Sequence, residues 1–126
     1  MFAEINMTAS LEDYLEAVLV LSQSNSEVRL TDIAAMLNVS KPSANRAVNT
    51  LTQNGFLSHE TYGSITLTPV GETYAASVLH RHKLLKHFLS DTLGVSEKTA
   101  EEDACKMEHV MSAETIEKLY DYLERQ

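Results

Sequence analysis

The stretch TDIAAMLNVSKPSANRAVNTLTQN, residues 31–54, predicts the fold of the first half of the chain. Its opening segment is short and rich in alanine and leucine, which is typical of a short packed helix. Residues 38–40 form a tight connection, and Lys41-Pro42 opens a second helix, because proline is tolerated in the first helical turn. Apolar residues recur in that helix at the spacing of one buried face: Ala44, Val48 and Leu51. The stretch therefore predicts a helix-turn-helix.

The flanking segments extend this pattern to a winged helix-turn-helix. An amphipathic helix is predicted over residues 10–23, from apolar residues at helical spacing. After the helix-turn-helix, FLSHE at residues 56–60 and SITLT at residues 64–68 flank the turn 61–63, which predicts a β-hairpin. We therefore predict residues 1–76 as a winged helix-turn-helix DNA-binding domain.

The remaining chain is predicted to be helical throughout. A long helix begins at Thr68-Pro69 and ends near Leu93-Gly94, so it is expected to join the two halves directly. Ser96 begins a further helix to about Val110, and Ser112 begins the last one. We predict residues 77–126 as an all-helical metal-binding and dimerisation domain. The fold class is mainly α: a winged helix-turn-helix followed by an all-helical dimerisation domain.

Composition limits the cellular setting. The chain has 126 residues, a hydrophobic content of 44% and a single cysteine. One cysteine excludes an internal disulfide and fits a reducing compartment. No apolar stretch approaches the roughly 18 residues of a membrane helix, and no signal-peptide pattern opens the chain. A cytoplasmic protein with no membrane partner is the expectation.

The net charge of −8 is unusual for a protein that binds nucleic acid. The basic residues Lys41 and Arg46 nevertheless lie in a segment, from Val39 to Ser58, that contains no acidic residue. Asparagine pairs with adenine and arginine with guanine or phosphate, whereas serine and a helix N-terminus suit phosphate. The predicted contacts to double-stranded DNA are Ser40, Lys41, Pro42, Ser43, Asn45, Arg46, Asn49 and Tyr62. A plain solvated polar helix is the alternative for this face.

Three separate helical segments carry residues that suit a metal ion. Cys105, Glu108 and His109 stand at positions i, i+3 and i+4, so they share one face of a helix. Asp13 and Glu16 share a face of the first helix for the same reason. With His82, the predicted ligands are Asp13, Glu16, His82, Cys105, Glu108 and His109. Each residue has an ordinary structural explanation of its own, but the joint pattern favours a metal site.

Taken together, these segments resemble the diphtheria-toxin-repressor family of metal-dependent transcriptional regulators. The resemblance rests on LEDYLE at residues 11–16, AAMLNVSKPS at 34–43, LTPVG at 67–71, HKLLKHFL at 82–89 and CKMEHVMS at 105–112. The length resembles the short, manganese-regulator branch without an SH3-like domain. The resemblance implies that Asp13, Glu16, His82, Glu108 and His109 are ligands in a two-metal cluster.

The chain departs from that branch at three positions. Cys105 stands where the short branch usually has glutamate, and it resembles the iron-responsive branch instead. Lys86 and Glu101 stand where the iron branch commonly has a glutamate and a histidine of its second site. Carboxylate oxygen and imidazole nitrogen suit Mn(II) and Fe(II), whereas the softer thiolate shifts preference toward Fe(II), Co(II), Ni(II) or Zn(II). The expected cofactor is Fe(II) or Mn(II), with Co(II), Ni(II) or Zn(II) able to substitute in vitro.

The function that follows is a metal-dependent transcriptional repressor of metal-ion homeostasis genes, and not an enzyme. It is expected to bind a palindromic operator as a homodimer, with recognition helices held at a fixed spacing. The alternatives are a metal-independent winged-helix regulator, a small metallohydrolase with Glu108 as general base, and a metal buffer. No HExxH-type signature supports the hydrolase.

Overall fold

The protein is described by a computed structural model that covers residues 7–25, 27–60 and 63–125. Its helices are α1 (Ala9–Ser24), α2 (Leu30–Leu37), α3 (Lys41–Gln53), α4 (Pro69–His87), α5 (Glu97–Met107) and α6 (Ala113–Glu124). Its strands are β1 (Leu57–His59) and β2 (Ile65–Leu67), and a π-helical turn, Phe88–Thr92, follows α4. The chain divides into two compact units, Met1–Ala76 and Ser77–Gln126.

The helix-turn-helix predicted in the first unit is confirmed, and its turn depends on one residue. Asn38 adopts a left-handed conformation, with φ of 56°, and its N–H donates to the carbonyls of Ala34 and Ala35. Asparagine tolerates this conformation better than most residues that carry a Cβ. Ser40 then caps α3, because its hydroxyl accepts a hydrogen bond from the N–H of Ser43. These two residues end α2 and begin α3 within the same short connection.

The hairpin is also confirmed, and α4 begins directly after it. Leu57 pairs with Leu67 and His59 with Ile65 in the antiparallel register. The Thr68 hydroxyl donates to the Gly55 carbonyl at 2.6 Å. At Gly71 an added Cβ would lie 1.9 Å from the carbonyl oxygen of Phe56. The first turn of α4 therefore packs so closely on the chain before β1 that only glycine fits at this position.

A continuous apolar core holds the first unit together. Its fully buried members include Leu15, Val18, Ile33, Ala44, Val48, Leu51 and Ala75. The inward face of α3 is the one predicted from its spacing. One carboxylate also lies in this unit with little exposure: Glu12 is 8% exposed, and its Oε2 accepts a hydrogen bond from the Tyr74 hydroxyl at 2.9 Å.

The second unit has a smaller core, formed by α4, α5 and α6. Leu84, Leu85, Ala104 and Ile116 form its buried apolar cluster. Ser96 caps α5 and Ser112 caps α6, as predicted. Helix α5 ends at Met107 rather than near Val110, so the predicted end was wrong by three residues. Glu108 is the C-cap of α5 and still has helical φ and ψ, whereas His109 lies beyond the helix.

None of the helices in the described part of the chain is both long enough and apolar enough to cross a membrane.

Candidate metal centre

Two buried polar side chains lie in the core of the second unit, next to its apolar cluster. His82 on α4 is 8% exposed, and Glu108 at the end of α5 is fully buried. The inward position of His82 follows from the helical repeat of α4, because His82 lies three residues before the buried Leu85. Glu108 stands one turn after the buried Ala104, and its N–H donates to the Ala104 carbonyl. Helical packing therefore turns both polar groups inward.

Carboxylates contact both edges of the His82 imidazole. Nδ1 lies 2.9 Å from Glu108 Oε1, and Nε2 lies 2.9 Å from Glu101 Oε2. The hydrogen bond to Glu108 is the main cause that raises the pKa of His82 to about 9. Burial of the ring opposes that rise, and the bond to Glu101 adds to it. A cation that took one ring nitrogen would have to displace its proton.

The second carboxylate oxygen of Glu108 is the least satisfied atom of this cluster. Glu108 Oε2 is buried and accepts no hydrogen bond from any residue within the described ranges. An unpartnered buried acceptor commonly costs about 1–3 kcal/mol, and a charged one costs more. Buried charges are normally paired or coordinate a metal. This atom is therefore available to a ligand.

The surroundings of Glu108 fit a divalent transition metal. One ligand atom from each of His82, Cys105 and Glu108 lies within 4.8 Å of the other two. The donors are an imidazole nitrogen, a thiol sulfur and a carboxylate oxygen. This mixture suits Fe(II), Co(II), Ni(II) or Zn(II), whereas Mn(II) prefers oxygen and nitrogen alone. The residues present thus fit a metal ion by geometry and by chemistry.

Lys86 and Glu101 form an ion pair beside the cluster. Lys86 Nζ lies 3.3 Å from Glu101 Oε1 and 3.7 Å from Glu97 Oε1. Although partial burial alone would raise it, the pKa of Glu101 is lowered, mainly because His82 donates to it and secondarily because of Lys86. Glu101 therefore uses one oxygen for His82 and the other for Lys86.

The structure brings only some of the predicted ligands together. Of the described residues, the cluster joins His82, Cys105 and Glu108 and does not include His109, which is partly buried next to Glu108. Asp13 and Glu16 lie on α1 of the first unit, each partly buried, so their role as ligands stays a prediction.

Glu101 was not among the predicted ligands, yet it contacts His82 directly. The sequence did contain a signal for this contact. Glu101 stands one helical turn before Cys105, and Lys86 stands one turn after His82, so each shares a helix face with a predicted ligand.

Seven of the eight predicted DNA-contacting residues lie on α3 and its N-cap. The side chains Lys41, Pro42, Asn45, Arg46 and Asn49 are exposed on α3, opposite its buried face. Ser40 and Ser43 hydrogen-bond each other, and Arg46 donates to the Ser43 hydroxyl at 3.2 Å. The serines thus stabilise the N-terminus of α3 and hold Arg46 near it. Tyr62 lies outside the described residues.

Fold and site together define a winged helix-turn-helix protein with a candidate metal centre in its helical unit. Residues 6–65 match the N-terminal DNA binding domain of the iron dependent repressors, and residues 68–125 match their metal binding and dimerisation domain.

Individual relatives agree with these domain matches. An uncharacterized HTH-type transcriptional regulator of Methanocaldococcus jannaschii is 38% identical over 94% of this chain and 96% of its own length. The HTH-type transcriptional regulator MntR of Lysinibacillus sphaericus is 34% identical over 93% of this chain and 84% of its own. A solved manganese-dependent transcriptional repressor in complex with manganese aligns with a TM-score of 0.84 and 27% identity, over 90% of this chain. The chain spans 52% of the length of that solved protein.

The chain belongs to the diphtheria-toxin-repressor family of metal-dependent transcriptional repressors. This family consists of regulators and not of enzymes, so the metallohydrolase alternative no longer applies.

Proposed function

We propose that this protein is a repressor of metal-ion homeostasis genes, and that Fe(II) or Mn(II) bound at His82, Cys105 and Glu108 controls its binding to DNA. The observation that carries the proposal is the fully buried carboxylate of Glu108, whose Oε2 has no hydrogen-bond partner within the described ranges. A group of this kind is costly without a cation. The family supports metal control, and the donor set supports the proposed position of the cation.

The choice between the two ions depends on Cys105. Thiolate favours Fe(II) over Mn(II), whereas the similar solved structures include a manganese-dependent repressor. We favour Fe(II) on the strength of the sulfur donor. Asp13, Glu16 and His109 remain proposed additional ligands, on the support of their helical spacing and of the sequence resemblance.

The residues of the chain contribute in two ways. The bound ion supplies positive charge that offsets the carboxylates around it. Glu108 and His82 hold it within the second unit, and Cys105 limits which ions bind well. Helix α3 presents Asn45, Arg46 and Asn49 to the major groove, while Lys41 and the capped N-terminus of α3 contact phosphate.

We further propose that the protein acts in the cytoplasm as a homodimer on a palindromic operator. A two-fold symmetric protein matches the symmetry of a palindrome. Metal binding and DNA binding are then reciprocally coupled, typically by about 1–3 kcal/mol.

An anaerobic mobility shift on DNA from upstream of this gene and of neighbouring metal-transport genes tests the proposal. Fe(II), Mn(II) and chelator are compared at one salt concentration, because phosphate contacts make affinity depend on salt. We expect binding only with metal, and tighter binding with Fe(II). Binding that chelator leaves unchanged would favour the metal-independent regulator and refute metal control.

A further inference from the structure

The two nitrogens of His82 have different partners, and this difference carries a further inference. On the Nδ1 edge lies Glu108, which belongs to the same three-residue cluster as Cys105. On the Nε2 edge lies Glu101, which is not part of that cluster. Glu108, a member of the cluster that fits a metal, therefore lies on the Nδ1 side of the ring.

We infer that Glu101 is a positioning residue, which orients His82 so that Nδ1 is the nitrogen offered to the metal. Glu101 accepts the Nε2–H hydrogen bond, which fixes the tautomer and the rotation of the ring. The inference rests on the proposed metal centre and deepens it. Carboxylates that accept a hydrogen bond from a ligating histidine also raise the basicity of its other nitrogen, which strengthens the bond to metal.

Lys86 keeps Glu101 in this role. Its ammonium lies 3.3 Å from Glu101 Oε1, so the two oxygens of one carboxylate are divided between a lysine and a histidine. Lys86 is one turn after His82 on α4, and Glu101 is one turn before Cys105 on α5. The pair thus joins the two helices that supply the ligands. A lysine here also neutralises the carboxylate, which disfavours its direct coordination to a cation.

Anaerobic Co(II) titration of the full chain tests the dependence on Glu101, because absorption from a Co(II)–thiolate bond reports Cys105 ligation. We expect Glu101→Ala to weaken Co(II) binding by roughly 10- to 100-fold, the usual loss for such partners of a ligating histidine. Glu101→Gln keeps an acceptor oxygen for Nε2–H and should lose only a few-fold. Glu102→Gln removes the same charge at the next, exposed position and should match the unaltered chain.

The coordinated nitrogen is identified separately. The chain is labelled with ¹⁵N-histidine, loaded with ¹¹³Cd(II), and examined by NMR for metal–nitrogen coupling. His82→Gln assigns the signal. Coupling to Nδ1 supports the inference, and coupling to Nε2 overturns it.

The outcomes separate the inference from the metal centre itself. Co(II) binding that is equal in Glu101→Ala and in the unaltered chain overturns the role of Glu101 and leaves the metal centre standing. If the unaltered chain binds neither Co(II) nor Cd(II), the metal centre fails and the inference fails with it. Circular dichroism establishes that each variant is folded, and Glu101→Gln serves as the milder test if Glu101→Ala is not.

Discussion

Among the residues that the structure describes, each of the two units contains one buried glutamate, and the two differ in how their oxygens are used. In the first unit, Glu12 accepts a hydrogen bond from the hydroxyl of Tyr74, which packs against a large apolar core. In the second, Glu108 is fully buried beside His82, and its Oε2 has no hydrogen-bond partner within the described ranges.

The comparison separates a carboxylate with a structural role from one that we propose as a metal ligand. Glu12 accepts a hydrogen bond from a neutral hydroxyl of the same unit. Glu108 adjoins an imidazole ring and a thiol, and this set of donors fits a cation. Burial alone does not distinguish the two residues, but the chemistry of the neighbours does.

The largest expected effect is on metal affinity. Glu108→Ala should weaken Co(II) or Fe(II) binding by more than about 100-fold, since it removes a ligand rather than a partner of one. Metal-dependent operator binding should disappear as a result, while the dimer is retained. Calorimetric titration with metal measures the metal affinity, and sedimentation measures the oligomeric state. Glu12→Gln, which changes the buried carboxylate of the first unit, is the matched control. Equal losses of metal affinity in both variants would contradict the difference proposed between the two carboxylates.

The second-largest expected effect is on stability, because bound metal should stabilise the folded protein. Free ion at 100 times its Kd adds about 2.7 kcal/mol to the free energy of unfolding of a protein with one binding site. Thermal unfolding followed by circular dichroism, with Fe(II) or Mn(II) and then with chelator, measures this. Glu108→Gln should remove the gain, and Glu12→Gln should keep it. A gain that survives in Glu108→Gln would place the ion elsewhere.

A smaller effect is expected on DNA affinity from the exposed face of α3. Arg46→Ala should weaken operator binding by about 1–3 kcal/mol at saturating metal. Metal affinity measured without DNA should stay unchanged, because Arg46 belongs to the other unit. Mobility shifts at fixed salt, paired with metal titrations, test the separation. An equal loss of metal affinity would show that the two units do not divide these tasks.

The smallest effect belongs to the structural carboxylate. Tyr74→Phe removes the hydroxyl that donates to Glu12 and should cost about 1 kcal/mol of stability, the usual net value of a hydrogen bond. Urea unfolding of both proteins, with the metal chelated, measures the difference in the free energy of unfolding. The metal affinity of Tyr74→Phe should stay within twofold of that of the unaltered chain. A greater loss would indicate that Glu12 contributes to the metal site.

Much of the fold was predictable because it depends on local patterns. The spacing of Ala44, Val48 and Leu51 predicted the buried face of α3, and the caps at Ser40, Ser96 and Ser112 began helices where they were expected. The end of α5 was less predictable, since a helix can fray over one or two residues without a strong stop signal. Local spacing also explains why Cys105 and Glu108 were recognised together.

What the sequence determined by itself was therefore the order of elements, the family and the residue types able to bind metal. These depend on neighbours a few residues apart, whose contacts follow from helical periodicity. Only the tertiary structure decided that His82 lies between Glu108 and Glu101, that Lys86 pairs with Glu101, and that Glu108 Oε2 is buried. These facts depend on the packing of α4 against α5, in which residues 15 to 26 positions apart meet. No local pattern specifies which edge of a ring faces which carboxylate.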